Sequence, residues 1–401
     1  MNVYDATRIT DNVYWVGAVD WSVRDFHGYL TSNGTTYNAY LVMADKVTLV
    51  DTVKRPYGKE MLSRISSVID PGKIDYIISN HAEMDHSGYL LDTIEAVKPE
   101  KVFASSLGVK ALREHFHGIK DVIEVKDGEA IDLGNRHITF YETKMLHWPD
   151  SMFSFLQEDG ILFSQDAFGM HLASSERFDD ELRDYLLEHE AAKYYANILL
   201  PFSNFVNKLF AKVEAAGLEP AIIAPDHGPI WRKRVEWILE LYKAWAAREP
   251  KNKAVIVYDT MWGSTDLMAR AICDGLKEQG TRVKVMKLRS DHRSDVATEL
   301  LEAGALIVGS PTINGNIFPT VADVLAYIRG LKPVGMVGAA FGSYGWSGEA
   351  TKQVEELLEG MNVELVTERL QSKYVPDGGV LSECRKLGQA VAARLSGLPM
   401  P

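Results

Sequence analysis

Two α/β domains in tandem are what this sequence predicts: an αββα sandwich over residues 1–250, then a doubly wound parallel sheet over residues 251–401. Three observations carry that reading. The chain has 401 residues, more than one ordinary core accommodates. Its first part strings short strand-like runs together with few helices, whereas the last part alternates strand and helix regularly. Between them, the charged and aromatic helical run "RKRVEWILELYKAWAAREP" stops at Pro250 and the strand-like "AVIVYDT" follows, which sets the junction near Lys251.

The elements follow in order. "NVYWVGAV", "TYNAYLVMA" and "KVTLVDT" are short strands separated by polar turns, a helix spans residues 59–68, and "IDYIIS" is the next strand. "KVFASS", a helix over 107–116, "VIEVKDGEAIDL", "RHITFYET", "MFSFLQ", "GILFSQDAF" and "PAIIAPDHG" complete the first part. These runs form two sheets with helices outside them, and polar residues gather just beyond the strand ends. The second part is a five-stranded sheet with its loops at the carboxyl ends of the strands.

Composition excludes several function classes. With 46% hydrophobic and 24% charged residues the chain is of soluble globular type, and no apolar run is long enough to span a bilayer. The start, "MNVYDATRITDNVYWVG", lacks the basic and apolar regions of a signal peptide, so a cytoplasmic location is expected. A net charge of −12 leaves no basic surplus for nucleic acid. Nearly all of that excess precedes residue 251, where carboxylates either solvate the surface or neutralise bound cations. Cys273 and Cys384 form no CxxC pair, so any metal is held by nitrogen and oxygen.

The stretch "NHAEMDHSGYL" places His81, Glu83, Asp85 and His86 directly after an apolar strand. In an extended segment His81, Glu83 and Asp85 point the same way, and a turn brings in His86. One histidine here is structural more often than not; four candidate ligands in six residues read as a metal site. Three later strand ends add His147 in "ETKMLHWPD", Asp166 in "GILFSQDAFG" and His227 in "AIIAPDHGPI". Singly, each has a plain structural explanation. Together they make four imidazoles and three carboxylates, an inventory for two metals sharing a bridge. His27, Trp148, His171 and Tyr195 are weaker candidates for supporting roles, which burial explains equally well.

In the second part, "AVIVYDTMWGSTDLMARAICDGLKEQG" reads as strand, loop and amphipathic helix. The loop Thr260, Met261, Trp262, Gly263, Ser264 and Thr265 offers hydroxyls and backbone N–H groups at a helix start, which suits a phosphate. Neither G-x-x-x-x-G-K-[ST] nor G-x-G-x-x-G is present, which disfavours nucleoside triphosphates and dinucleotides. Pro311, Thr312, Ile313, Asn314, Gly315 and Asn316 form a second loop; Ser343, Tyr344, Gly345, Trp346, Ser347 and Gly348 form a third. Both are placed to flank a flat ring.

The first part resembles the metallo-β-lactamase superfamily, whose leading motif is usually HxHxDH; here Glu83 takes the middle position. Extra anionic oxygen favours iron and redox chemistry over zinc-prepared hydroxide. The second part resembles flavodoxin and its FMN site, although its phosphate loop departs from the usual flavodoxin pattern. Jointly, with "VGAVDW", "GTTYNAYLV", "MLHWPDSM", "VGSPT" and "AFGSYGWSGE", the chain looks like the flavodiiron protein family over its whole length.

That resemblance implies one iron on His81, Glu83 and His147, another on Asp85, His86 and His227, and Asp166 bridging, with His86 the weakest carry-over. It implies FMN, reduction of dioxygen to water or of nitric oxide to nitrous oxide, and a head-to-tail homodimer or a tetramer built from it. Without paired CxxC motifs no rubredoxin module is expected, so the resemblance implies a separate donor: rubredoxin, or reduced F420 as the alternative. Two competing readings are a zinc or di-metal hydrolase with a regulatory flavodoxin, which Glu83 disfavours, and an FMN electron carrier with a structural N-terminal domain, which the seven ligand-type residues disfavour.

Overall fold

The computed structural model describes residues 4–401, which fall into two compact units. Among the described residues the first comprises 4–27, Thr31–Tyr194 and Asn204–Lys243, the second Gly28–Leu30, Tyr195–Ser203 and Ala244–Pro401.

Two sheets form the centre of the first unit. One has seven strands in the order Thr7–Arg8, Val13–Trp15, Tyr40–Val42, Thr48–Val50, Tyr76–Ser79, Lys101–Ser105 and Val122–Val125. The other has five: Ala130–Asp132, His137–Glu142, Met152–Leu156, Ile161–Phe163 and Ile222–Ala224. Alternation along the strands explains the layering. Tyr76 and Ile78 join Trp15, Phe103, Phe140 and Phe163 between the sheets, while Ile77 faces the opposite way toward Met61, Ile65 and Leu112. Those residues belong to the helices Gly58–Val68 and Ser106–His115, whose buried positions recur at helical spacing. Ser105 caps the second of these helices, its Oγ accepting from Gly108 N at 3.0 Å.

The second unit is built on a parallel sheet in the order Arg282–Lys287, Lys251–Tyr258, Ala303–Gly309, Val337–Tyr344. The fifth place is shared by two short strands, Glu364–Leu365 and Leu370–Lys373, which pair with opposite ends of Val337–Tyr344. The sheet therefore has six strands where five were expected. The polar and charged segment between those two strands interrupts what would otherwise be one edge strand. Alternate residues again divide. Ile256, Ile307 and Phe341 pack on the helices Ser264–Glu278 and Gly378–Leu395; Val257, Val308 and Ala340 pack on Arg293–Leu300, Pro319–Leu331 and Glu349–Glu359. Among the described residues no helix is long and apolar enough to cross a membrane.

Candidate metal centre and flavin slot

Strand register assembles the metal cluster. Ile161–Phe163 and Ile222–Ala224 are parallel with Phe163 opposite Ala224, so Asp166 and His227 each lie the same distance past a registered pair. Gln165 and Phe168 on either side of Asp166 adopt positive φ, and the turn they make is tied down. Phe168 N donates to the Tyr242 hydroxyl at 2.8 Å, Trp231 Nε1 donates to Phe168 O at 2.8 Å, and Gln165 Nε2 donates to the carbonyl of Leu146, next to His147. The loop after Tyr76–Ser79 is fixed by Asp51, whose carboxylate accepts from Asn80 N and Asn80 Nδ2, both at 2.7 Å, and by Asp150 Oδ2, which accepts from Ala82 N at 2.8 Å.

One expectation needs correction. The extended run ends at Glu83, and Met84–Ser87 is a short helix. His86 N and Ser87 N both donate to Glu83 O, at 3.0 and 2.8 Å. Asp85 thus points in from a helical turn rather than from an extended strand, because the backbone closes on Glu83, and His86 comes in from that turn as expected.

The seven residues meet around Asp166, which presents one oxygen to each of two donor sets. Its Oδ2 lies 3.3 Å from His81 Nε2 and 3.0 Å from His147 Nε2, and His147 Nε2 is 3.0 Å from Glu83 Oε2. Its Oδ1 lies 3.4 Å from His86 Nε2 and 3.5 Å from His227 Nε2; those two nitrogens are 3.4 and 3.2 Å from Asp85 Oδ2. All are buried except His147, which is partly exposed.

These groups suit a pair of cations. His81 Nε2, both Asp85 oxygens and Asp166 Oδ1 are buried with no hydrogen-bond partner among the described residues, an arrangement that is costly for a carboxylate unless positive charge sits beside it. His227 Nδ1 lies 2.6 Å from Thr36 O, a contact that needs the proton on Nδ1 and turns the Nε2 lone pair inward. His86 Nε2 is only 3.1 Å from His227 Nε2. The charges tell the same story. Burial opposes ionisation of Asp166, yet the facing His81, His147 and His86 hold its carboxyl well below the usual range. Burial likewise disfavours charge on His147, but Asp166 and Glu83 push it up to about 10. The carboxylates demand cations, and the donor set of nitrogen and oxygen is one that iron accepts.

Sequence reasoning missed Asp226, although it adjoins His227 in "APDHG". Its Oδ2 lies 3.6 Å from the Nδ1 atoms of both His81 and His86, behind the faces that point at Asp166. The signal was present: a carboxylate beside a candidate ligand at a strand end. Of the weaker candidates, His27 lines a cleft of about 380 Å³ that also exposes Glu83 and Asp85, and His171 sits 4.6 Å from the His227 ring. Trp148 instead lies 6.1 Å from the His115 ring, and the Tyr195 hydroxyl shares a hydrogen bond with Ser203.

In the second unit the three loops surround a slot of about 480 Å³ lined by Met261, Trp262, Ser264, Pro311, Thr312, Asn314, Gly315, Ser343, Tyr344, Gly345, Trp346 and Ser347. Trp262 is 95% and Trp346 90% exposed, so the slot carries bare aromatic walls suited to a flat ring. Thr260, Gly263, Thr265, Ile313, Asn316 and Gly348 do not line it. Thr260 Oγ1 accepts from Gly263 N at 3.0 Å and Thr265 Oγ1 meets Ser343 Oγ at 3.0 Å, shaping the loops. Gly263 caps the helix Ser264–Glu278 at φ 92°, a left-handed conformation that glycine adopts without strain. Below the loop, Asp259 accepts from Thr260 N at 2.6 Å, Arg289 Nε at 3.1 Å and Thr320 Oγ1 at 2.6 Å. Tyr374 and Val375 also line the slot and were missed, because they follow the strand created by the split fifth position.

Two family models match the chain: the ODP family beta lactamase over residues 35–228 and flavodoxin over residues 256–388. The chain is 47% identical to the rubredoxin-oxygen oxidoreductase of Megalodesulfovibrio gigas, covering 97% of this chain and 98% of that one. To the nitric oxide reductase of Moorella thermoacetica it is 46% identical, again over 97% and 98%. Among solved structures it resembles the rubredoxin oxygen:oxidoreductase of Desulfovibrio gigas, with a TM-score of 0.96 at 46% identity and 98% coverage of both chains. The flavodiiron protein of Giardia intestinalis matches with a TM-score of 0.93 at 33% identity, covering 98% of this chain and 97% of that one.

Proposed function

Because this chain belongs to the flavodiiron protein family, we propose that His81, Glu83 and His147 hold one iron, Asp85, His86 and His227 the other, and Asp166 both. The observation that supports this best is the division of Asp166, with Oδ2 toward one donor set and Oδ1 toward the other. The chain is an oxygen/nitric oxide reductase of the flavodiiron class with a non-haem di-iron centre and FMN. We assign residues 1–250 to the metal domain and 251–401 to the flavin domain, and we place FMN in the slot between the loops 260–265, 311–316 and 343–348.

When bound, the two irons and the reduced flavin supply two electrons each, which matches the four that take dioxygen to water; two nitric oxide molecules need two. The protein's own residues do the rest. Asp166 fixes the separation of the two donor sets, Thr36 sets the tautomer of His227, and the cleft beside Glu83 and His27 admits a diatomic gas. We read both dioxygen and nitric oxide as substrates and a rubredoxin as electron donor, a reading that leans on the names of the two relatives. The bare rings of Trp262 and Trp346 support a homodimer in which a second copy covers them. Two unpaired cysteines, one of them buried Cys384 with its thiol pushed up to about 12 by burial, suit a reducing cytoplasm.

Metal and flavin analysis, then anaerobic reduction and separate additions of dioxygen and nitric oxide, test the reading. About two irons and one FMN per chain with consumption of both gases is the expected result; zinc in place of iron, or consumption of neither gas, overturns it. Supplying electrons through reduced rubredoxin and through reduced F420 in parallel decides the donor.

A further inference from the structure

On the first unit, beside the metal cleft along the chain but sharing no lining residue with it, lies a second pocket of about 530 Å³. Its walls include Trp15, Trp21 and Tyr57, and its charged members are Glu60, Arg64 and Arg177. Arg177 is the unusual one. It is only 6% exposed, yet no carboxylate pairs with its guanidinium among the described residues. Nη2 donates to the carbonyl of Ser174, and among the described residues no other side-chain hydrogen bond forms. The neighbouring Glu181 is already engaged, its Oε2 accepting from the backbone N–H groups of Arg177 and Phe178 at 3.0 and 3.1 Å.

A second cation crowds it. The Arg64 and Arg177 guanidiniums lie 4.8 and 4.7 Å from the same Trp15 ring, and the buried Nε of Arg64 has no hydrogen-bond partner among the described residues. Glu60 Oε1 pairs with Arg64 Nη2 at 2.7 Å, whereas Arg177 has only the longer-range attraction of Glu176 and Glu181. Burial and the charge of Arg64 lower Arg177 to about 10. A desolvated guanidinium retained at the edge of a roomy pocket is costly unless something anionic meets it there.

We propose that this pocket binds a small organic carboxylate with a flat apolar body, its anionic end on Arg177 and its body against Trp21 and Tyr57. A single guanidinium without an ion-pair partner matches a monoanion, whereas a phosphate dianion would bring twice the negative charge toward Glu60, Glu176 and Glu181. The guanidinium fork suits the planar carboxylate group, and the aromatic walls suit a planar body.

Benzoate is the probe, titrated calorimetrically into the FMN- and iron-loaded protein, with benzamide as its neutral isostere and inorganic phosphate as the compact anion. One benzoate binds per chain, and benzamide and phosphate each bind on the order of tenfold or more weaker, the value of a charge-assisted hydrogen bond. Arg177→Gln weakens benzoate by a similar factor. Ser175→Trp, at an exposed lining position, narrows the mouth while leaving Arg177 in place and also removes binding. If Arg177→Gln fails to fold, Ser175→Trp decides alone. Absence of benzoate binding, benzamide or phosphate binding as tightly as benzoate, or undiminished binding by Ser175→Trp would each overturn the proposal.

Discussion

Asp166→Asn removes one anionic oxygen from the centre of the cluster at almost no change in volume. The amide must turn its NH₂ toward one donor set: either toward His81 and His147, whose Nε2 atoms are 3.3 and 3.0 Å from Oδ2, or toward His86 and His227, at 3.4 and 3.5 Å from Oδ1. Whichever way it turns, one donor set of the proposed di-iron site would lose an anionic oxygen and meet a donor instead of an acceptor. Removing one member of a buried charge pair costs about 3–5 kcal/mol. At about 1.4 kcal/mol per decade, that is roughly a hundredfold to a few thousandfold in retention of the affected metal. The assay is iron content per chain after dialysis, read beside FMN absorbance and turnover with dioxygen. About one iron or less, full FMN and no turnover are expected. Two tightly held irons with undiminished turnover would refute the bridging role, and loss of FMN would refute the separation of the two sites.

Asp226→Asn leaves the Nδ1 atoms of His81 and His86 without their anionic neighbour, 3.6 Å from each, and should lower iron affinity by about 10–100-fold, measured by competition with a chelator. Gly263→Val forces a β-branched side chain into φ 92° and should weaken FMN by about tenfold or more, read by flavin fluorescence on release, with iron content unchanged. Glu299 pairs with Lys253 at 2.8 Å and Lys284 at 3.2 Å; burial opposes its charge, but both lysines hold its pKa below the ordinary 4.5. A depressed carboxyl stabilises above its unfolded pKa and ceases to as pH falls through the folded one. Glu299→Gln should therefore cost below about 1 kcal/mol near neutrality, after solvent screening, and the difference in Tm from the native protein should close as pH drops below 4.5. A gap that persists in acid would mean the effect is not electrostatic.

The sandwich and the doubly wound sheet were legible because each strand run alternates or is wholly apolar, as in "YIIS" and "ALIVGS", and the helices between carry spaced apolar residues. The seven clustered residues were legible because ligand-type side chains recur at strand ends, where a parallel register brings them level. What was not legible follows from local geometry. The short helix Met84–Ser87 spans too few residues to show helical periodicity, so an extended reading of "HAEMDH" was natural. Tyr374 and Val375 escaped because the split of the last strand depends on edge pairing with Val337–Tyr344, which no periodicity records. Asp226 escaped because its role is to face the back of two imidazoles, and sequence spacing does not reveal which side of a ring a carboxylate occupies.

The burial that makes the cluster chemically useful also makes it a source of instability in the absence of metal. His81, His86, Asp166 and His227 are nearly inaccessible, and Asp85 and Glu83 only slightly less so. Gathering three carboxylates and four imidazoles there from four separate segments costs desolvation that the apolar core between the sheets must offset. Protonated imidazoles can supply part of the missing positive charge, which is why His81 and His147 are pushed up to about 9 and about 10 despite their burial. Two divalent cations held by these residues would supply it more completely. Iron binding therefore stabilises the first unit as well as equipping it for catalysis. Removing iron from the native protein with a chelator should accordingly lower the melting temperature of the metal domain and leave that of the FMN-loaded domain in place. An equal fall in both would show that metal binding and the fold of the second unit are coupled.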